Sequence, residues 1–127
     1  MRIAATLPAD VASPRLARRW LDDHLPASVA QSLRDSTALL VSELVTNAVV
    51  HAMTPCTITV DITDGGIRVA VADGAPEGPA VPAAYPAESG RGIIVVARLA
   101  DRWGWRPTAG GKEVWFELLP GRETGAT

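Results

Sequence analysis

The segment from Ser42 to His51, SELVTNAVVH, constrains the fold of this chain more than any other part of its sequence. Its spacing places Glu43, Asn47 and His51 four residues apart along one face of a predicted helix. The apolar residues around them leave almost no face of that helix open to water, so Glu43 and Asn47 are expected to be partly buried. Such groups need partners, and a metal ion with its phosphates would supply them. The competing interpretation is an ordinary solvated stripe.

Composition limits the classes of protein to which the chain can belong. Its 127 residues, 47% of them apolar and 20% charged, predict one globular domain at residues 1–120 and a flexible tail at 121–127. With a formal net charge of -2, the chain lacks the excess of positive charge that is typical of proteins that bind DNA or RNA. The single Cys56 excludes a disulfide framework and a cysteine-based metal site, and we expect it to be a buried structural thiol. Because no secretory or membrane-length apolar segment is present, we expect a cytoplasmic protein.

The start of the sequence predicts one strand and one helix. Apolar residues alternate over positions 3–7, which indicates a short strand. We expect Ser13 to cap the helix that follows and Pro14 to open it. The apolar side of this helix is predicted to consist of Leu16, Trp20 and Leu21.

The middle of the sequence predicts a long helix and then a hairpin. The helix runs from about residue 28 through SELVTNAVVH to about residue 54, where a proline disfavours its continuation. Strands at 57–62 and 67–71 flank Asp64-Gly65-Gly66, a combination that favours a tight hairpin turn.

Prolines and small residues from Gly74 to Gly90 predict a loop, either a lid over a binding site or a disordered connector.

A helix over 92–100 is entered directly from Gly90-Arg91-Gly92. Such an entrance lets a phosphate approach the free amides of the first turn, but it is also common without a ligand. A last hairpin pairs 102–106 with 113–119. The elements therefore predict the α/β (α+β) class, a two-layer sandwich of helices on a mixed, mainly antiparallel sheet.

Three features occur in an order that is known from one group of proteins: SELVTNAVVH, then Asp73-Gly74 after a strand, then the ESGRG helix entrance. The sequence from about Leu7 to Leu118 resembles the GHKL superfamily of ATP-binding domains in gyrases, histidine kinases and MutL-like proteins. Within it, the chain is most similar to the small anti-sigma factor serine kinases. SELVTNAVVH is a specific match to the first motif of that branch, and the other two are moderate matches.

The resemblance implies a role for each residue of the first motif. Glu43 would be the general base that takes a proton from the attacking hydroxyl. Asn47 would coordinate Mg²⁺ through its amide oxygen, while the ion bridges the phosphates of ATP. His51 would tune or pack against the ATP site, without a catalytic step.

The resemblance also implies how the nucleotide would be held. Asp73, followed by Gly74, would read adenine, because its carboxylate accepts a hydrogen bond from the exocyclic amine. Gly90, Arg91 and Gly92 would hold phosphate oxygens at the helix start. Residues 76–89 would form the lid.

Two departures from the pattern are expected to weaken ATP binding. Ala75 and Pro76 stand where many relatives carry a second glycine, which stiffens the loop. Glu113 stands where relatives often have a small hydroxyl residue that supports the adenine contact.

The resemblance implies an ATP- and Mg²⁺-dependent protein serine/threonine kinase that phosphorylates an anti-anti-sigma protein and sequesters a sigma factor. The alternative is a non-catalytic module that binds ATP and controls a partner by binding alone. The catalytic domain of a sensor histidine kinase fits less well, because no dimerising helical hairpin precedes the predicted fold. Relatives commonly form homodimers, and no direct contact with nucleic acid or membrane is expected.

Overall fold

The structure, a computed structural model, describes residues 1–76 and 91–120, and for residues 91–94 it describes the backbone alone. In chain order the elements are β1 (Arg2–Leu7), α1 (Ser13–His24), α2 (Gln31–Asn47), a π-helical turn (Ala48–Ala52), β2 (Cys56–Thr63), β3 (Gly66–Asp73), α3 (Arg91–Leu99), β4 (Arg102–Thr108) and β5 (Gly111–Leu118). Each predicted helix and strand is therefore present, with shifted ends.

The five strands form one sheet in the order β1-β2-β3-β5-β4. Every neighbouring pair among the described strands is antiparallel, whereas the sequence predicted a mixed, mainly antiparallel sheet. Alternate residues of each strand face the helices, as the period-two pattern requires. The two-layer α+β architecture is thus confirmed. The largest fully buried side chains of the sheet are Ile58, Val60, Val69, Val71 and Phe116.

Helix α1 begins differently from the prediction. Ser13 is its first residue, fully buried, and the Ser13 hydroxyl donates a hydrogen bond of 2.7 Å to the carbonyl oxygen of Pro8. The N-cap position belongs to Ala12, which has no capping side chain. Instead, the Ala12 amide donates to the Asp10 carboxylate at 2.8 Å. The predicted Ser13 cap is therefore wrong, because the preceding turn engages the hydroxyl first.

The buried side of α1 also differs in one residue. Ala17 and Leu21 are 0% and 1% exposed, and Trp20 is partly buried against the core. Leu16 was predicted on this side but is 42% exposed. Residues 17 and 21 are one turn apart and define the buried stripe, from which position 16 is rotated by about 100°.

Arg34 of α2 ties the two long helices together. Its guanidinium donates to the carbonyl oxygen of Asp22 at 3.1 Å and to that of Pro26 at 2.9 Å. The Asp22 carbonyl lies in the last turn of α1, where the helix leaves it without an intrahelical partner, and Pro26 lies two residues beyond the helix. The Arg34 charge thus satisfies the carboxyl end of α1 and orients α2 against it.

The long predicted helix is divided in two. The α-helical part begins at Gln31, later than predicted, and ends at Asn47. In the π-helical turn that follows, the Met53 amide donates to the carbonyl oxygen of Ala48 at 2.8 Å, an i to i+5 bond. Met53 itself adopts the left-handed conformation, with φ 56° and ψ 37°, and ends the helical segment.

Candidate functional site

Asp73 occupies the last position of β3 on the face of the sheet that the helices cover. Val69 and Val71 precede it on that face and are 0% and 2% exposed. Lys112, the register partner of Asp73 on β5, lies on the same face. Its ammonium group donates to Oδ2 of Asp73 at 2.9 Å and to Oδ1 at 3.1 Å. Both side chains are nearly inaccessible, with 5% exposed for Asp73 and 8% for Lys112.

Lys112 is the buried partner of Asp73, and the sequence interpretation missed it. The signal was present, because Lys112, Val114, Phe116 and Leu118 alternate along β5 and all four are buried. A lysine that continues such an apolar series must face the core. A partner of opposite charge was therefore to be expected beside it.

Glu113, by contrast, does not lie beside Asp73. It is paired in register with Ala72 and so faces the opposite side of the sheet. There its carboxylate accepts a hydrogen bond of 3.0 Å from Nε of Arg106. Glu113 and Asp73 therefore lie on opposite faces of the sheet, because a shift of one residue along a strand reverses the face. The expected effect of Glu113 on ATP binding stays a prediction.

The backbone around Asp73 and Gly74 is closely packed against Gly111. A Cβ atom at Gly111 would overlap the carbonyl oxygen of Asp73 and would lie 2.7 Å from Cα of Gly74. A residue with a side chain at position 111 would therefore push β5 away from the end of β3. The absent side chain of Gly111 allows the strands to hold Asp73 and Lys112 together.

Thr54 brings the helical segment to the same place. The Gly74 amide donates to Oγ1 of Thr54 at 2.8 Å, and a Cβ at Gly74 would lie 3.2 Å from Cγ2 of Thr54. Thr54 lies two residues after the π-helical turn, just beyond Met53. The end of the SELVTNAVVH segment and the Asp73-Gly74 turn therefore meet at one end of the sheet.

Glu43 and Asn47 lie one turn apart in α2 and are both half-buried, as predicted. Across residues 1–76 and 91–120, no hydrogen bond or ion pair engages either side chain. The helix nevertheless has a wet side, since Leu39 is 42% exposed and Val50 is 58% exposed. The prediction that almost no face is open to water is thus wrong. Glu43 and Asn47 lie at the border between this wet side and the core.

His51 is separated from the other two residues by the change of helix type. It belongs to the π-helical turn and is exposed. An i to i+5 turn is wider than an α-helical one, so a spacing of four residues no longer stacks side chains on one face. The single stripe predicted for Glu43, Asn47 and His51 is thus interrupted after Asn47. The role of His51 at the ATP site stays a prediction.

The predicted phosphate contacts fall only partly on described residues. Helix α3 begins at Arg91, as its glycine-flanked entrance predicts. Gly90 and the lid residues 77–89 lie outside the described residues, as does the side chain of Arg91. The contribution of Gly90, Arg91 and Gly92 to phosphate binding stays a prediction.

The donor groups present fit a magnesium ion that is held largely by its nucleotide. In the part of the chain that the structure describes, no group of three or more His, Cys, Asp or Glu residues could hold a metal ion. Mg²⁺ prefers oxygen ligands, often one or two from the protein, with water and phosphates completing its shell. The uncommitted amide oxygen of Asn47 is a ligand of that kind.

Cys56 lies beside Asp73 in the register of β2 and β3 and is 2% exposed. Burial, and to a smaller extent the nearby Asp73 carboxylate, together raise the pKa of its thiol to about 11. The predicted role as a buried structural thiol is confirmed.

None of the helices described is long and apolar enough to cross a membrane. Helices that pack on a five-stranded antiparallel sheet in this order match the fold of a GHKL-type ATPase domain. The chain belongs to the histidine kinase-like ATPase domain family, whose sequence model matches residues 7–118. Membership of this family implies that ATP is the ligand.

The fold is shared with a solved structure of low sequence identity. The crystal structure of the RsbU and RsbW domains of Rv1364c from Mycobacterium tuberculosis superimposes with a TM-score of 0.72 at 20% identity. The match covers 94% of this chain and 32% of the other chain, so this chain spans about a third of that protein. No curated protein matches the sequence.

Proposed function

We propose that this protein is an ATP- and Mg²⁺-dependent serine/threonine kinase that phosphorylates an anti-anti-sigma protein and sequesters a sigma factor. One observation carries the proposal. The Glu43 carboxylate is half-buried, one helical turn from Asn47, and no described residue engages it. A carboxylate held in this way keeps its oxygens available to accept a proton from a substrate hydroxyl. The fold shared with a protein that contains an RsbW domain supports the assignment.

Each residue of the site then has one task. Glu43 accepts the proton of the attacking serine or threonine hydroxyl. Asn47 would offer its amide oxygen to the metal ion, and Asp73 would accept a hydrogen bond from the exocyclic amine of adenine. Bound Mg-ATP would supply the phosphoryl group: the serine or threonine oxygen would bond to the terminal phosphorus of ATP, and ADP would leave.

The phosphorylated partner would leave because its interface changes charge. A phosphate adds about two negative charges, and burying them against this chain costs desolvation. The released kinase would then be available to bind the sigma factor. One covalent step would in this way exchange one partner for another.

Transfer of labelled phosphate from ATP to candidate anti-anti-sigma proteins tests the proposal. The Glu43→Ala variant is expected to lose roughly 10²- to 10⁴-fold in transfer rate while ATP affinity changes little. Asp35→Ala is a matched control, because Asp35 is an exposed carboxylate on the same helix that only accepts a hydrogen bond from Gln31. If no partner gains phosphate while ATP still binds, or if Glu43→Ala transfers phosphate at the wild-type rate, the kinase proposal fails.

A non-catalytic ATP-binding module is the second candidate, and the Asp73 site favours it. Ala75 and Pro76 follow Asp73-Gly74 where many relatives carry a second glycine, which stiffens the loop. A stiff loop would weaken nucleotide binding. Weak binding is sufficient for a protein that uses ATP only to order its own structure. In that case Glu43→Ala would retain full control of the partner, whereas a kinase would lose it.

A further inference from the structure

The buried ion pair between Asp73 and Lys112 has a cost that the fold alone does not explain. Both side chains are removed from water, with 5% and 8% of their surfaces exposed. Taking two charges out of water is unfavourable, and apolar replacements of such pairs are often neutral or stabilising. All other buried residues of β5 are glycine or apolar. Lys112 therefore stands where an aliphatic side chain would serve packing equally well.

Among the described residues, the hydrogen bonds of the pair leave one acceptor and one donor free. A carboxylate offers about four acceptor positions. Oδ1 of Asp73 accepts from the Ala75 amide at 2.9 Å and from Lys112 at 3.1 Å, and Oδ2 accepts from Lys112 at 2.9 Å. One position on Oδ2 remains. The ammonium group of Lys112 carries three N–H donors, of which the two bonds to Asp73 occupy two.

We propose that Lys112 is a second base-contacting residue, which donates a hydrogen bond to N1 of adenine while Asp73 accepts one from the exocyclic amine. The inference rests on the proposed ATP site. The amine and N1 are neighbouring donor and acceptor on the Watson–Crick edge of adenine, the edge that proteins read on unpaired bases. The free acceptor on Asp73 and the free donor on Lys112 are complementary to that edge.

This arrangement sharpens the choice between purines. Placed in the same way, guanine would set its carbonyl oxygen against the Asp73 carboxylate and its N1–H against the Lys112 ammonium. Both contacts would then be repulsive, and each would leave a buried polar group without its partner. Asp73 alone would oppose guanine at one position only.

The nucleotide analogue 1-deaza-ATP tests the contact in the wild-type chain, because it replaces N1 by C–H and keeps the amine. We expect it to bind roughly 10- to 100-fold more weakly than ATP, the loss typical of a hydrogen bond to a charged group. The analogue 7-deaza-ATP is the matched control, since its change lies on the other edge of the base. It should bind like ATP. Equal affinity for ATP and 1-deaza-ATP in the wild type would overturn the inference without any variant.

The Lys112→Met variant identifies the donor. Methionine has a similar length and no N–H, so ATP and 1-deaza-ATP should bind this variant with the same affinity. A difference as large as that of the wild type would show that another group contacts N1, and would overturn the role of Lys112. If wild-type protein bound no ATP at all, the proposed function itself would fall. If ATP bound but N1 did not matter, only this inference would fall.

Discussion

The hydroxyl of Thr54 accepts a 2.8 Å hydrogen bond from the backbone amide of Gly74, which joins the end of the helical segment to the turn after β3. Residues far apart in sequence are thereby fixed relative to each other. On one side of the contact lies Asn47, seven residues upstream of Thr54, and on the other lies Asp73. The geometry of the site should therefore depend on this bond, although Thr54 has no predicted contact with the nucleotide.

Replacement of Thr54 by valine should lower the free energy of unfolding by about 1 kcal/mol, since the Gly74 amide loses its acceptor. ATP affinity should also fall severalfold, because the Asp73-Gly74 turn is no longer tied to the helix. Urea denaturation and calorimetry measure the two effects. Thr57→Val is the control, because its hydroxyl pairs with that of Thr6 at 3.2 Å on the opposite face of the sheet. An equal loss of ATP affinity in both variants would contradict the argument.

Asn47→Ala should weaken ATP binding only when magnesium is present. The amide oxygen of Asn47 is the proposed protein ligand of the ion, so its loss should cost at least about tenfold in affinity for Mg-ATP. Affinity for ATP without magnesium should stay the same. Calorimetric titrations with and without Mg²⁺ measure the difference. Thr46→Ala is the neighbouring control, because its hydroxyl only donates to the carbonyl oxygen of Ser42 within the helix. Equal losses with and without the ion would remove Asn47 as a metal ligand.

Gly111→Ala and Gly110→Ala form a matched pair that tests the close packing at Asp73. An added methyl group at position 111 would meet the backbone of Asp73 and Gly74, whereas at position 110 nothing lies within 4 Å. We expect Gly111→Ala to lower the free energy of unfolding by about 3 kcal/mol. Gly110→Ala should change it by less than about 0.5 kcal/mol. Chemical denaturation measures the free energy of unfolding of both variants. Similar losses in the two would refute the packing argument.

The Cys56 thiol should make the folded state less stable at alkaline pH. Its pKa is raised by burial to about 11, against 9.0 for an unperturbed thiol. The unfolded chain therefore releases this proton first, so the contribution is fully present below about pH 9 and is lost as the pH rises to about 11. Over that window the wild type should lose roughly 2 kcal/mol more stability than Cys56→Ala. Denaturation curves at about pH 9 and about pH 11 measure this difference. The titration of lysines cancels, because both proteins contain the same lysines. Parallel losses in the two proteins would contradict it.

Much of the fold could be predicted because its signals are local. The hairpin of β2 and β3 follows from alternation around Asp64-Gly65-Gly66, and the start of α3 follows from the glycine-flanked entrance. The partial burial of Glu43 and Asn47 follows from the apolar residues that flank them. The two wrong predictions for the helices, the Ser13 cap of α1 and the uninterrupted helix through His51, also concern local structure. Competing hydrogen bonds decide where a helix begins and what type of turn it contains.

The sequence by itself determined the order of the elements and the residue types available to the site, since propensity, periodicity and motif spacing are properties of neighbours in the chain. Only the tertiary structure decided which of these residues meet. Lys112 and Asp73 are 39 positions apart, and they form an ion pair because β3 and β5 align them in register. The same register turns Glu113 to the opposite face of the sheet. Strand register is set by packing across the whole sheet. A shift of β5 by one residue would place Glu113 instead of Lys112 on the face of Asp73.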